Sequence, residues 1–207
     1  MSFTQKAQIA RGRPSSRDKH LDRLLQLKVF HQKEAVRAGV SAPTLSRLVK
    51  EGWILRLDQD IYRHPEADID ADTEDFIVAC MKFGPQSVIG GATALFHYQI
   101  IDQAPSQIWV LVPPNKLSRS KLYRCLRTKT DLSIGVIDHG RYRITTIERS
   151  IIEAFKYATK IGLEKAIKAA KSAMSQQLTT PAKIARQARA LGLESTISKY
   201  WEILISL

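Results

Sequence analysis

The 207-residue chain carries 32 Lys and Arg against 20 Asp and Glu, a net charge of +12, and its 44 % apolar content suffices for one large folded domain or two small ones. No run of about 18 apolar residues exists to cross a bilayer, and the first 19 residues are polar and basic without the apolar segment of a secretory signal, so a cytoplasmic protein is expected. Cys80 and Cys125 stand far apart with no CxxC spacing, which argues against a zinc site or disulfide framework and predicts two reduced, buried thiols.

A cationic surplus of this size attracts polyanions through phosphate neutralisation and counterion release. Its distribution divides the chain. Residues 1–17 hold Lys6, Arg11, Arg13 and Arg17 and no acid. Within them Arg11-Gly12-Arg13-Pro14 matches the core of an AT-hook, in which two guanidinium groups lie in the negative potential of a narrow minor groove. A flexible basic arm is the competing reading. Glu66, Asp68, Asp70, Asp72, Glu74 and Asp75 then form an acidic run with no basic residue among them.

Between arm and acidic run, Leu21, Leu24, Leu25 and Leu27 predict a helix over Asp18 to Val29, and Ala35, Val36 and Ala38 a short one over Gln32 to Ala38. Gly39 supplies the left-handed conformation of a helix terminus. Ser41 is placed to cap the next helix, with Pro43 in its first turn and Leu45, Leu48 and Val49 facing inward. That leaves Pro43, Thr44, Ser46, Arg47 and Lys50 outward, the residue types with which a recognition helix meets base edges and phosphates. Trp53 to Leu57 and Ile61 to Arg63 read as two strands around the turn Asp58-Gln59-Asp60, with Asp60 where positive φ favours Gly. Together these elements predict a winged helix-turn-helix. Its expected DNA-contacting residues are Arg11, Arg13, Ser41, Pro43, Thr44, Ser46, Arg47, Lys50, Arg56, Tyr62 and Arg63.

Beyond the acidic run, a helix is expected over Thr73 to Phe83, closed by Gly84-Pro85, then a strand at Ser87 to Ile89, a helix at Ala92 to Tyr98 and a buried strand at Gln107 to Val112. A second basic patch follows in Lys116, Arg119, Lys121, Arg124 and Arg127, continued by Lys129, suited to DNA phosphates or an acidic partner or else a solvated loop. Leu132 to Asp138 and Arg141 to Ile144 flank His139-Gly140 as a hairpin. Thr145 to Glu148 has the spacing of a capping box and predicts a helix start. Ile151, Ile152 and Phe155 give that helix a buried side, and Ala166, Ile167, Ala170 and Met174 stripe a second helix after Gly162. Thr180-Pro181 opens a third, and Ile197, Tyr200, Trp201 and Leu204 stripe a fourth.

The order Ala38-Gly39-Val40, Leu45 to Gly52, Leu55-Arg56-Leu57 and Ile61-Tyr62-Arg63 resembles the N-terminal domain of AbiEi-type antitoxins. Ser87-Val88-Ile89, Ala92 to His97, Ile108 to Pro113 and Thr145 to Ser150 are similar to that family's second domain, so the likeness covers most of the chain after the arm. That resemblance implies a transcriptional regulator of a type IV toxin-antitoxin operon. It implies binding of double-stranded DNA at an operator with repeated sites, and neutralisation of a nucleotidyltransferase-like toxin encoded beside it.

Catalysis finds little support. Asp68-Ile69-Asp70-Ala71-Asp72 begins like a calcium loop but lacks the required glycine and terminal glutamate, so no metal site is assigned. No Gly-rich phosphate cradle is present, the five histidines are scattered, and no cofactor is expected. The expectation is an α+β protein and not an enzyme: a flexible arm over 1–17, a winged helix-turn-helix over 18–66, and a mixed α/β domain over 67–207 ending in a C-terminal helical bundle. A solitary regulator, a module that grips an acidic toxin, and a metal-dependent nucleic-acid-processing enzyme are the other readings the residues leave open.

Overall fold

The computed structural model describes residues 16–205, and the chain divides into two compact units between Asp70 and Ala71. In the first, α1 (Ser16–Leu27) is followed by β1 (Val29–His31), α2 (Gln32–Arg37), α3 (Ala42–Lys50), β2 (Leu55–Asp58) and β3 (Ile61–Arg63). The strands form an antiparallel sheet in the order β1-β3-β2. Leu24, Phe30, Ala35, Val40, Leu45, Leu48, Ile54 and Tyr62 make its core, so each helix and strand β1 and β3 contribute side chains to one apolar centre.

Two local readings of this unit change. The expected first helix was to run through Val29, but Lys28 takes a left-handed turn at φ 59° and Val29 begins a strand paired to Arg63. A three-residue strand leaves too short a pattern for sequence periodicity to register. Trp53 and Ile54 precede β2 instead of belonging to it; Ile54 is buried as a core plug, and Trp53 carries the Arg17 guanidinium 4.6 Å from its ring. Arg17, expected in the arm, therefore sits in α1.

The second unit is built on a five-stranded mixed sheet, order β6-β5-β4-β8-β7. Its elements are α4 (Ala71–Phe83), β4 (Val88–Ile89), α5 (Gly91–His97), β5 (Ile108–Val112), β6 (Tyr123–Arg127), β7 (Val136–Asp138) and β8 (Arg143–Thr145). Six helices complete it: α6 (Ile147–Lys156), α7 (Ala158–Ile161), α8 (Leu163–Ser175), α9 (Pro181–Ala190), α10 (Glu194–Ser198) and α11 (Trp201–Ile205). Phe76, Ala79, Cys80 and Phe83 of α4 pack one face of the sheet, against Val110, Val112 and Tyr123. Trp109, Leu111 and Leu126 face the other way, into a core shared with α6, α8, α9 and α10. Coverage of both faces explains the unbroken apolar run of β5. Helix α5 approaches β5 closely: a Cβ on Gly90 would lie 2.6 Å from Leu111 Cδ1, and one on Gly91 2.7 Å from Trp109 Cε3.

The capping box shifts by one residue. Thr146, not Thr145, caps α6, its hydroxyl accepting from the Arg149 amide at 3.3 Å. Thr145 is buried in β8 with its hydroxyl 2.7 Å from Ser150 Oγ, while Glu148 accepts from Thr179 Oγ1 at 2.9 Å. The basic patch, for which the sequence analysis named no strand, contains β6, and the stripe expected as one C-terminal helix breaks into α10 and α11 at Lys199-Tyr200. Cys80 is buried and burial pushes its thiol pKa up, leaving an unreactive apolar side chain; Cys125 is half-buried.

Candidate nucleic-acid interface

The turn between α2 and α3 fixes the site. Gly39 adopts φ +84°, and a Cβ there would lie 2.7 Å from Arg23 Nη1, which itself donates to the Ala38 carbonyl at 3.2 Å. Glycine is thus required by the backbone conformation, while the exposed end of the Arg23 side chain can move aside. Helix α2 opens with a capping box built on histidine: the Lys33 amide donates to His31 Nδ1 at 3.2 Å, and the His31 amide donates to Glu34 Oε2 at 2.8 Å.

Helix α3 begins at the Ser41 cap, whose Oγ accepts from the Thr44 amide at 3.3 Å and lies 2.9 Å from Thr44 Oγ1. Ser41 caps as expected, and the Thr44 hydroxyl, expected outward, engages it at the helix start. Leu45 and Leu48 are wholly buried, and the opposite face presents Pro43, Ser46, Arg47 and Lys50 to solvent. Arg47 Nε stands 3.9 Å from Glu51 Oε1 in a solvent-exposed pair one turn apart. Such a pair contributes about 0.3–0.5 kcal/mol at most, so the guanidinium is easily redirected to a phosphate.

The β2–β3 hairpin places its cations unevenly. Arg56 is exposed, its Nε 3.4 Å from the Asp58 carbonyl. Arg63 is half-buried and donates through Nη2 to the Ala67 carbonyl at 3.3 Å. Tyr62 corrects the expected set: it is 5 % exposed, stacked 6.0 Å from Phe30, with its hydroxyl 3.5 Å from Gln32 Oε1. It faces the core because pairing with β1, absent from the sequence reading, turns its side chain inward. Asp60 does adopt φ +58°, and its carbonyl accepts from the Gln32 amide at 2.8 Å, tying the hairpin turn to the start of α2.

Arg11 and Arg13 lie outside the described residues. Lys33 and Arg37 are exposed on α2 and were passed over in the sequence reading, although their i,i+4 spacing puts both on one helix face. From 16 to 70 the sequence has ten Lys and Arg and nine Asp and Glu, so the attraction of these described elements for a polyanion rests on where the cations stand and not on net charge. The second patch is in the other unit. Lys116, Arg119 and Lys121 are exposed on the β5–β6 connection, Arg127 and Lys129 are exposed at the end of β6, and Arg124 is half-buried 4.8 Å over Trp109. Among the described residues no three His, Cys, Asp or Glu side chains gather into a metal site, and no helix is long and apolar enough to cross a membrane.

Residues 19–65, from within α1 to just past the hairpin, match the family model described as transcriptional regulator, AbiEi antitoxin. The residues Ala38 to Arg63 that carry the resemblance to AbiEi-type antitoxins fall within this matched segment. Among solved structures, the crystal structure of the RV2827C protein from Mycobacterium tuberculosis is similar at a TM-score of 0.58 and 13 % identity, over 90 % of this chain and 78 % of that one. At that identity the likeness is one of fold. Curated proteins yield no match.

Proposed function

We propose that the chain is the antitoxin of a type IV toxin-antitoxin system: it represses its own operon through a winged helix-turn-helix over 18–66, and its 67–207 domain serves neutralisation of a nucleotidyltransferase-like toxin. The carrying observation is α3, a capped helix with Leu45 and Leu48 sealed in the core and Pro43, Ser46, Arg47 and Lys50 on the free side. The element order α1-β1-α2-α3-β2-β3 with a closing hairpin supports the same reading. In it α3 enters the major groove of the operator. Ser46 and Arg47 address base edges, Lys50 and Lys33 and Arg37 of α2 hold phosphates, and Arg56 of the hairpin reaches the flanking backbone. Tyr62 supports the hairpin from inside and touches no DNA.

The test is a mobility shift on the DNA upstream of the operon. Arg47→Ala with Lys50→Ala is expected to weaken operator binding at least about tenfold and to lower the slope of log affinity against log salt by about 2 if both meet phosphates, or by about 1 if Arg47 reads a base. Unchanged circular dichroism confirms the fold. Operator affinity equal to wild type removes α3 from the reading. The toxin assignment is tested separately by co-expression with the product of the adjoining gene, where rescue of growth supports it and continued toxicity refutes it.

A further inference from the structure

Strand β6 stands at one end of the sheet order and pairs only with β5. In this parallel ladder the Ile108 amide donates to the Leu122 carbonyl and the Thr128 amide to the Val112 carbonyl, so the even-numbered residues of β6 turn their backbone groups to β5 and the odd-numbered ones turn theirs away. Two of the outward groups are used within the chain: the Tyr123 amide donates to the Ser120 carbonyl at 3.4 Å, and the Arg127 carbonyl accepts from Tyr157 Oη at 3.4 Å. The amide and carbonyl of Cys125 and the amide of Arg127 are left as an open row. The connection from β5 does not close it, for the Ser118 amide reaches the Cys125 thiol but residues 113–122 form no ladder with β6.

The surroundings of this edge define what an added strand must carry. Six cations from Lys116 to Lys129 occupy a stretch of chain that contains no acid, and Arg119, Lys121 and Arg127 among them are exposed. Leu117 at 65 % and Leu122 at 64 % exposure, the two most exposed large apolar side chains among the described residues, stand on the connection that leads into β6. We infer that the β6 edge takes an extended acidic segment of another protein as a further strand, its carboxylates on these cations and its apolar side chains on the two leucines. Main-chain hydrogen bonds fix the register of such a strand, and charge selects the partner. A second copy of β6 is the wrong occupant: antiparallel pairing centred on Cys125 sets Tyr123 against Arg127 and Arg124 against Leu126, and brings two cationic stretches together with no acid between them. A nucleic acid is the poorer one, because it satisfies the cations but brings no ladder to the edge, and Trp109 and Tyr123 are too buried to stack on bases. The inference does not rest on the antitoxin reading, since it names the chemistry of a segment and not the protein that carries it.

The test uses the full chain and a fluorescein-labelled peptide of alternating Glu and Val, about seven residues long as strands commonly are. Binding is read by anisotropy at about 0.1 M salt, where the Debye length of about 10 Å screens the general pull of a +12 molecule on any anion more than it weakens charges in contact. Wild type is expected to bind this peptide, and to bind one with the same glutamates and two adjacent prolines at its centre at least about tenfold more weakly, because the prolines keep the charge and remove the ladder amides whichever side faces β6. On addition of the first peptide, hydrogen exchange at the Cys125 and Arg127 amides is expected to slow at least about tenfold. Cys125→Pro blocks the outward amide at an edge position, where proline is tolerated, and Lys121→Glu/Arg127→Glu reverses the exposed charge; each is expected to lose peptide affinity with its circular dichroism unchanged. If Cys125→Pro fails to fold, the two peptides and the exchange of wild type decide. No binding by wild type, equal affinity for the two peptides, unchanged exchange at those amides, or a folded Cys125→Pro that binds as wild type does overturns the inference. So does a charge-reversed variant that loses affinity for a duplex of scrambled sequence while wild type ignores the peptide, which assigns these cations to nucleic acid.

Discussion

Arg149 of α6 is the residue on which the second unit is expected to depend most for its size. It is fully buried together with Glu153, with Nε 3.0 Å from Glu153 Oε1. Its Nη1 donates to the Asp131 carbonyl at 2.7 Å and also to the Ile134 carbonyl, so one guanidinium ties α6 to the segment between β6 and β7. Arg149→Met keeps much of the volume but leaves a carboxylate buried without its cation. Loss of one partner of such a pair costs about 3–5 kcal/mol, because desolvation of the survivor is no longer offset. For a chain of this length about 1 kcal/mol corresponds to 2–4 °C, so Tm is expected to fall by roughly 10 °C, with a matching shift of the urea midpoint followed by far-ultraviolet circular dichroism. The double change Arg149→Met/Glu153→Leu removes both charges and is expected to be more stable than Arg149→Met alone, since nothing ionic is left orphaned. A loss below about 1 kcal/mol for Arg149→Met, or a double variant no better than the single, would refute the assignment of the pair as a buried tie.

Three further outcomes follow from the first unit. Gly39→Ala forces a side chain into φ +84° and against Arg23 Nη1, so a loss of about 1–2 kcal/mol from conformation alone is expected in thermal unfolding, and wild-type stability would contradict the tight turn. Tyr62→Phe removes only a 3.5 Å hydroxyl contact to Gln32, so operator affinity in a mobility shift is expected to stay within twofold of wild type; a large loss would return Tyr62 to the DNA surface. His64 is buried, and desolvation holds its pKa below the ordinary 6.5 against the opposing charges of Glu66 and Asp22. The unfolded chain therefore binds this proton at a higher pH than the folded one. Stability from neutral His64 is present above 6.5 and is lost as pH falls from there through its lower folded pKa. A nuclear magnetic resonance titration giving His64 a pKa at or above 6.5 would overturn this sign.

The features that sequence alone determined are those written within a few neighbouring residues. Ser41 and Thr180 cap the helices they precede, Gly39 carries the positive φ assigned to it, and the alternation of buried and exposed residues on α3 follows from a 3.6-residue period acting on Leu45 and Leu48. Asp60, placed where positive φ favours Gly, sits at φ +58°, a region Asp tolerates better than most residues, in the turn between β2 and β3. Thr145 shows the margin of such reasoning: two adjacent threonines offer the same cap chemistry, and strand pairing to Val136 claims the first and leaves the second for α6.

Pairing between distant segments decided the rest. Strand β1 is three residues long and invisible to periodicity, yet it turns Tyr62 from the expected DNA surface into the core. Nothing in the local sequence marks Arg149 and Glu153, at i,i+4, as buried; α8 and α9 close over α6 and remove both from water. Six cations obscured Tyr123 and Leu126 in the basic patch, and these become strand residues only when β5 supplies hydrogen bonds and the cores on both faces take their side chains. Local sequence fixes backbone preference over a turn or two; which side of an element meets water is settled by the segments that pack against it, and these lie far along the chain.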